Sequence, residues 1–181
     1  MGAYTELQDA VYDSIAPMFP ALDSSGAILW GNMHNLEPES SYLSMFILSI
    51  EEQGREMNSW GYDASGDVIV YSTVNTYEAN VQFSFRGSQS GDLAHSFKQK
   101  LNSPIFWEFL RKNNLSKMRT SDIRYLPQKR DTQWVDGFNI DVVFGYAYVT
   151  EENIDPIEQV IIVDETYENK RTYYIPENIG S

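Results

Sequence analysis

The sequence predicts an α+β protein: a single domain with a mixed, mostly antiparallel sheet and helices packed mainly on one face. Residues 76–85 alternate strictly between apolar and polar side chains, which is the period of a half-buried strand. Residues 92–112 then carry apolar side chains at helical spacing on both sides of a Ser103–Pro104 break. Strands that surround a helical pair in this way are typical of an α+β sandwich.

The first predicted element is a helix from Thr5 to Phe19, with Thr5 as a suitable N-cap. Its buried stripe consists of four apolar residues at helical spacing: Leu7, Val11, Ile15 and Met18. Pro17 and Pro20 are expected to end this helix, because proline cannot donate a helical hydrogen bond. A short strand is predicted at residues 27–30.

Residues 42–50 are nearly apolar on both faces, which predicts a strand that is covered on both sides or central in the sheet. Residues 53–66 hold three glycines, and we expect them to form the turn-rich tip of a long hairpin. Trp60 and Tyr62 lie in this tip. The return strand ends with the alternating residues 76–85.

Two helices are predicted at residues 92–101 and 104–112. Ser103 is expected to cap the second helix, with Pro104 at the first helical position, where a missing N–H costs nothing. Four apolar residues of that helix are expected to pack inward: Ile105, Phe106, Phe109 and Leu110. Asn113 and Asn114 are suitable residues to end it.

Residues 115–137 lack periodicity and are predicted to be a long irregular segment, which at this length is expected to be functional or to contain a hairpin of its own. Five basic residues lie in it: Lys117, Arg119, Arg124, Lys129 and Arg130. They contrast with a chain that has 26 acidic and 13 basic residues and a net charge of −13. The cluster is either a solvated loop or a contact with an acidic face of a neighbouring subunit, and the sequence leaves both open.

The last two predicted strands are residues 138–149 and 157–163. Residues 164–181 are polar and lack periodicity. The predicted organisation is therefore one domain over residues 1–163, followed by an extended C-terminal arm.

No residue pattern in the chain predicts chemistry. The sequence has no cysteine, which excludes disulfides and thiolate metal sites, and its two histidines are far apart. Residues 86–91 are glycine-rich before a helix but lack the lysine of a phosphate-binding loop. The acidic charge opposes tight binding to nucleic-acid phosphates. We therefore expect no enzyme activity and no catalytic, cofactor or metal site.

Four stretches of the chain form a distinctive set that spans about residues 5–163. They read AILWGNMHNLEPESSYLSMFI, NVQFSFRGSQSGDLAHSFKQKLNSPIFWEFLRKNNLS, SDIRYLPQ and WVDGFNIDVVFGYAYVTEENIDPIEQV. This set resembles tailed-phage neck or tail-terminator proteins of the contractile-tail type. The combination of the FRG–turn–helix–SP–helix segment with the late FNIDVVFGY strand carries the resemblance.

The resemblance implies a virion structural protein that assembles into a ring, with a hexamer as the expected number. Such a ring ends the tail tube and sheath and joins them to the head connector, and DNA passes through its lumen without specific binding. It implies synthesis in the host cytoplasm, a place in the virion neck, no membrane partner and no catalytic residues. We expect seven residues to contact neighbouring subunits: Trp60, Tyr62, Arg119, Arg124, Lys129, Arg130 and Trp134.

Two alternatives stay open at this point. Another head- or tail-completion subunit has the same small α+β character and ring symmetry. A stand-alone ligand-binding domain instead requires a deep pocket with convergent polar groups.

Overall fold

The structure, a computed structural model, describes residues 3–31, 38, 40–63, 68–130, 132–154, 159–163 and 170–174. The chain divides into two compact units. The first consists of Met1–Glu56 with Asn75–Tyr148, and the second of Met57–Val74 with Val149–Ser181.

The described chain has four α-helices, one 3₁₀ turn and ten strands. In order they are α1 (Ala3–Ile15), a 3₁₀ turn (Ala16–Met18), α2 (Pro20–Ser24), β1 (Ile28–Trp30), β2 (Tyr42–Asp63), β3 (Val68–Arg86), α3 (Ser90–Lys100), α4 (Pro104–Lys112), β4 (Leu115–Thr120), β5 (Arg124–Tyr125), β6 (Gln128–Arg130), β7 (Gln133–Val135), β8 (Gly137–Ile154), β9 (Gln159–Val163) and β10 (Lys170–Tyr174).

The main sheet has the order β1-β2-β3-β8-β4, and β5 also pairs with β8. β1 runs parallel to β2, whereas β4 and β5 run antiparallel to β8. Between β3 and β8, the side chain of Ser84 bonds that of Asn139, and the side chain of Gln82 bonds that of Asp141. Residue numbers along β3 therefore increase while those of their partners in β8 decrease, which shows that the two strands are antiparallel. The predicted α+β class, with a mixed and mostly antiparallel sheet, is confirmed.

The core of the first unit lies on one face of this sheet. The predicted alternation of β3 is confirmed, because Val81, Phe83 and Phe85 are fully buried on that face. Phe97 of α3 packs against them, with its ring centroid 4.8 Å from that of Phe83 and 5.4 Å from that of Phe85. The predicted apolar stripe of α1 joins the same cluster. The helices therefore cover the apolar face, as expected.

Four details of the helices differ from the prediction. The first helix begins at Ala3, so Thr5 lies inside it and does not cap it. The α-helix ends at Ile15, because Pro17 lies in a 3₁₀ turn, and Pro20 begins α2 instead of ending a helix. Proline favours a first helical position as much as it disfavours an interior one. The prediction that Ile105 packs inward is wrong, since it is 63% exposed; the α4 stripe uses Phe106 and Leu110 instead.

The prediction of a turn-rich tip is wrong for residues 53–63, because β2 continues to Asp63; β3 begins at Val68, and residues 64–67 lie outside the described residues. Trp60 and Tyr62 therefore lie within a strand. Gly54 has φ +83°, a conformation open to glycine, inside that strand. Gly54 and Gly61 are thus accommodated within an extended segment.

The prediction of an irregular segment at residues 115–137 is also wrong, because it contains β4 to β7. Only Leu115 of β4 is buried, so these short strands lack the alternation that would identify them. β9 ends at Val163 but is not the last strand, because β10 follows it and pairs with it antiparallel. Residues 157–158 and most of the predicted arm lie outside the described residues, and the domain boundary at residue 163 stays a prediction.

None of the described helices is long and apolar enough to cross a membrane.

The cap of α4 offers a test of the fold. The Ser103 hydroxyl oxygen accepts a hydrogen bond of 3.2 Å from the backbone N–H of Phe106. We expect Ser103→Ala to lower the free energy of unfolding by about 1 kcal/mol in urea denaturation, because the first turn loses an acceptor. Ser88→Ala, at an exposed turn serine, is the matched control and should change it little. Equal losses in the two variants would contradict the cap.

Candidate functional site

The sheet face opposite the core carries polar side chains that bind one another. Ser84 Oγ donates to Asn139 Oδ1 at 3.0 Å, and Gln82 Nε2 donates to Asp141 Oδ1 at 3.2 Å. For these two side chains of β3, the polar partners come from β8 of the same chain.

Two arginines of the predicted contact set extend this polar face. Arg119 forms an ion pair of 3.1 Å with Glu78, and Arg124 forms one of 2.5 Å with Asp141. Outside that set, Lys117 donates to the carbonyl of Leu101 at 3.0 Å. Both guanidinium groups thus have carboxylate partners inside the molecule, and their role as contacts with neighbours stays a prediction.

Arg86, at the end of β3, is a buried cation that sequence reasoning missed. Its side chain is 7% exposed, and Nη1 donates to the Leu126 carbonyl at 3.0 Å. A Cβ on Gly137 would lie 1.5 Å from the same Nη1, so the guanidinium lies directly against the glycine backbone. Arg86 therefore holds the segment that precedes β8 against the sheet. The available signal was a charged residue at the end of an otherwise buried strand.

The turn after Arg86 is tight. Gly87 has φ +97°, and a Cβ there would lie 2.7 Å from the Ser41 Cα. The backbone N–H of Gln89 donates to Ser41 Oγ at 3.0 Å, just before α3 begins. Glycine is required here both by its conformation and by the close approach of another chain segment.

The segment before β8, which Arg86 binds at Leu126, forms an exposed hairpin with basic and aromatic side chains. We call β6, β7 and the preceding Tyr125 and Leu126 the basic–aromatic hairpin. Trp134 is 70% exposed, and its cross-strand partner in the ladder is Lys129, which is also exposed. Arg130 lies in β6, and its side chain is outside the described part of the structure.

Tyr125 fixes the base of the basic–aromatic hairpin. Its hydroxyl donates to Asp136 Oδ1 at 2.8 Å, and its ring lies 5.1 Å from that of Phe138. The hydrogen bond to the Asp136 carboxylate raises the pKa of Tyr125, because it favours the protonated phenol. The hairpin is thus tied to the sheet by both an aromatic and a polar contact.

A groove of about 340 Å³ lies elsewhere in the first unit, and we call it the acidic groove. Its walls come from α1, the end of α4, the start of β4 and β8: Glu6, Leu7, Asp9, Ala10, Asp13, Lys112, Asn113, Asn114, Leu115, Tyr146, Ala147 and Tyr148. Three exposed carboxylates of α1 face a single lysine, and among the described residues none of the three forms an ion pair.

Aromatic rings form part of the acidic groove. Tyr146 stacks on Tyr77 with 5.3 Å between ring centroids, and burial raises the pKa of Tyr146. The groove therefore combines carboxylates with apolar and aromatic walls. Sequence reasoning missed it, because an acidic residue such as Glu6 in a first turn is already explained by the favourable charge at the start of a helix.

The remaining predicted contact residues lie in the second unit. Trp60 is 67% exposed, and its ring centroid is 4.5 Å from that of Tyr71. Tyr62 also lies in β2, although its side chain is outside the described residues. The other five candidates belong to the first unit.

The described residues contain no group of three or more His, Cys, Asp or Glu side chains that could hold a metal ion. Asp122 has a lowered pKa because Lys98 Nζ donates to its carboxylate at 2.7 Å, but this ion pair lies on the surface. The features that stand out are surfaces suited to other macromolecules.

Gly137 tests whether Arg86 positions the hairpin. We expect Gly137→Ala to lower the free energy of unfolding by about 1–3 kcal/mol in urea denaturation, because the added Cβ overpacks the site. Arg86 could move aside, but the Leu126 carbonyl, 2.6 Å from that Cβ, belongs to the backbone. Gly61→Ala is the matched control, since its Cβ would lie 4.0 Å from the nearest atom, the Val70 carbonyl oxygen. A harmless Gly137→Ala would contradict the close contact.

Comparison with known proteins identifies the family. No curated protein matches the chain closely enough to count as a relative. A family model described as phage neck terminator protein matches residues 5–170, which include the core, the basic–aromatic hairpin and the acidic groove. A match over most of the chain shows that this protein belongs to the phage neck terminator protein family.

Proposed function

We propose that this protein forms a ring, a hexamer, that ends the tail tube and sheath of a contractile-tailed phage and joins them to the head connector. Its family is one of structural proteins of the phage neck, which interact with other head and tail proteins. The ring, its copy number and these particular partners are the proposal. Assembly in the host cytoplasm before incorporation into the virion belongs to it as well.

The observation that carries the proposal is the exposure of tryptophan. Three of the four tryptophans are more than half exposed: Trp60 at 67%, Trp107 at 58% and Trp134 at 70%. Tryptophan is enriched at the centres of protein interfaces, where its burial contributes a large share of the binding energy. A subunit that presents several such side chains to solvent is built to be covered by neighbours.

Growth of the tail tube ends for geometric reasons, without any chemical step. A ring that binds the last tube ring on one side, and presents a different surface on the other, leaves no site where another tube ring could add. The net charge of −13 suits a channel for DNA, because a negative wall repels phosphates and lets the duplex pass without binding.

The C-terminal segment adds a further contact to the proposal. Residues 164–181 serve as the extended arm that reaches a neighbouring subunit. Their described part, β10, pairs with β9 in the same chain, so an arm that exchanges between subunits would exchange this two-stranded pair.

The solution mass, alone and with purified tail tubes, tests the proposal. We expect sedimentation velocity to detect a six-copy species, and electron microscopy to place it at the head–tail junction. A chain that stays monomeric under both conditions would contradict the ring. A ring located elsewhere in the virion would identify another completion subunit.

Trp134→Ala tests the contribution of the exposed aromatic residues. We expect it to weaken self-association at least ~tenfold, because a buried tryptophan anchor commonly contributes about 2 kcal/mol or more. Its exposure in the single chain predicts an unchanged free energy of unfolding. Ile105→Ala, which also truncates an exposed apolar side chain, is the control and should associate normally. Unaltered association of Trp134→Ala would remove this residue from the interface.

A further inference from the structure

We propose that neighbouring copies bind head to tail, with the basic–aromatic hairpin of one copy seated in the acidic groove of the next. This inference rests on the proposed ring and names the two surfaces that close it. The occupant of the groove is thus a second copy of this chain.

Charge complementarity supports this pairing. Glu6, Asp9 and Asp13 place three carboxylates at the groove, and Lys112 supplies one ammonium group, so the lining has a net charge of −2. The hairpin presents the exposed Lys129; residues 125–136 together hold two basic and two acidic residues, so the complementarity rests on this one ammonium group. Among the described ion pairs none involves Lys129, whereas Arg119 and Arg124 have carboxylate partners in their own chain.

One face of the hairpin carries a cationic and an aromatic side chain, which complement the acidic and the apolar parts of the groove. Lys129 and Trp134 are directly opposite in the antiparallel ladder, and opposite residues project to the same side. The groove likewise sets the α1 carboxylates beside apolar walls such as Leu7 and Tyr146. An ammonium group and an indole ring that project together therefore meet a carboxylate and an apolar wall together.

The positions of the two surfaces favour a ring over a two-fold dimer. The hairpin ends immediately before Gly137, the first residue of β8, whereas the groove includes Tyr146 and Tyr148. Nine residue steps of extended strand lead from Gly137 to Tyr146, which is a distance of about 30 Å. A contact between two different surfaces at separate places along one strand is heterologous, and repeated heterologous contacts form a ring when the rotation between copies closes.

A symmetric contact is disfavoured by the same charges. A two-fold dimer through the groove would place the α1 carboxylates of one copy against those of the other, and like charges brought together at an interface are costly. The head-to-tail arrangement brings each lysine to a carboxylate instead. The charges of the two surfaces therefore favour the head-to-tail arrangement over the two-fold one.

The cysteine-free sequence allows a direct test by disulfide trapping. Asp9→Cys and Lys129→Cys are made in separate copies, mixed, and oxidised alone and on tail tubes. We expect a disulfide between the two variants in the mixture and none in either variant alone. Asp92→Cys, at an exposed aspartate near the start of α3, replaces Asp9→Cys as the matched control and should give no product with Lys129→Cys.

Charge reversal provides an independent measurement of the same contact. We expect Asp9→Lys and Lys129→Glu each to weaken self-association by about tenfold, and the two changes combined in one chain to restore most of it. Unchanged free energies of unfolding would show that the monomer is intact. Raising the salt concentration should weaken the natural contact, because salt screens exposed charges.

The outcomes separate this inference from the function on which it rests. If a ring forms but no mixed disulfide appears, and if the ring tolerates both charge reversals, the hairpin–groove contact is contradicted and the ring itself is not. A chain that remains monomeric alone and on tail tubes overturns both. A mixed disulfide together with the rescue by double reversal supports both.

Discussion

The buried guanidinium of Arg86 against Gly137 is the constraint on which the surfaces of this protein depend. A charge removed from water requires hydrogen-bond acceptors, and Arg86 finds one in the Leu126 carbonyl. That bond ties the end of β3 to the segment before β8, because only a glycine at residue 137 leaves room for the side chain. The position of the basic–aromatic hairpin is therefore set by a contact inside the subunit.

The two faces of the sheet make different kinds of contact. The apolar face binds the helices through Phe97 and the buried residues of β3. On the polar face, Gln82 and Ser84 bond to partners in β8, whereas the buried Oδ1 of Asn80 has no hydrogen-bond partner among the described residues. The exposed tryptophans remain available for neighbours.

The strongly periodic elements could be predicted from the sequence. The alternation through Phe83 and Phe85 indicated a strand with one buried face, and Ser103–Pro104 indicated the start of a helix. Both signals are local, since a strand period and a helix cap depend on neighbouring residues only. The family resemblance rested on the same segments and is confirmed.

What could not be predicted depends on contacts between distant residues. The short strands β4 to β7 show no alternation, because they are stabilised by pairing and by partners such as Asp141 for Arg124. The basic cluster therefore looked uniform in sequence, although the structure separates internally paired arginines from the exposed Lys129. The acidic groove is formed by α1, α4 and β8, which only the fold brings together.

The most direct test of the account is an electron-microscopy map of the assembled neck at side-chain resolution. The account predicts a closed ring of identical copies in which the hairpin of each copy lies in the groove of the next, with Lys129 facing the carboxylates of α1. A ring whose hairpins face solvent or another protein, with the grooves occupied by something else, would contradict it.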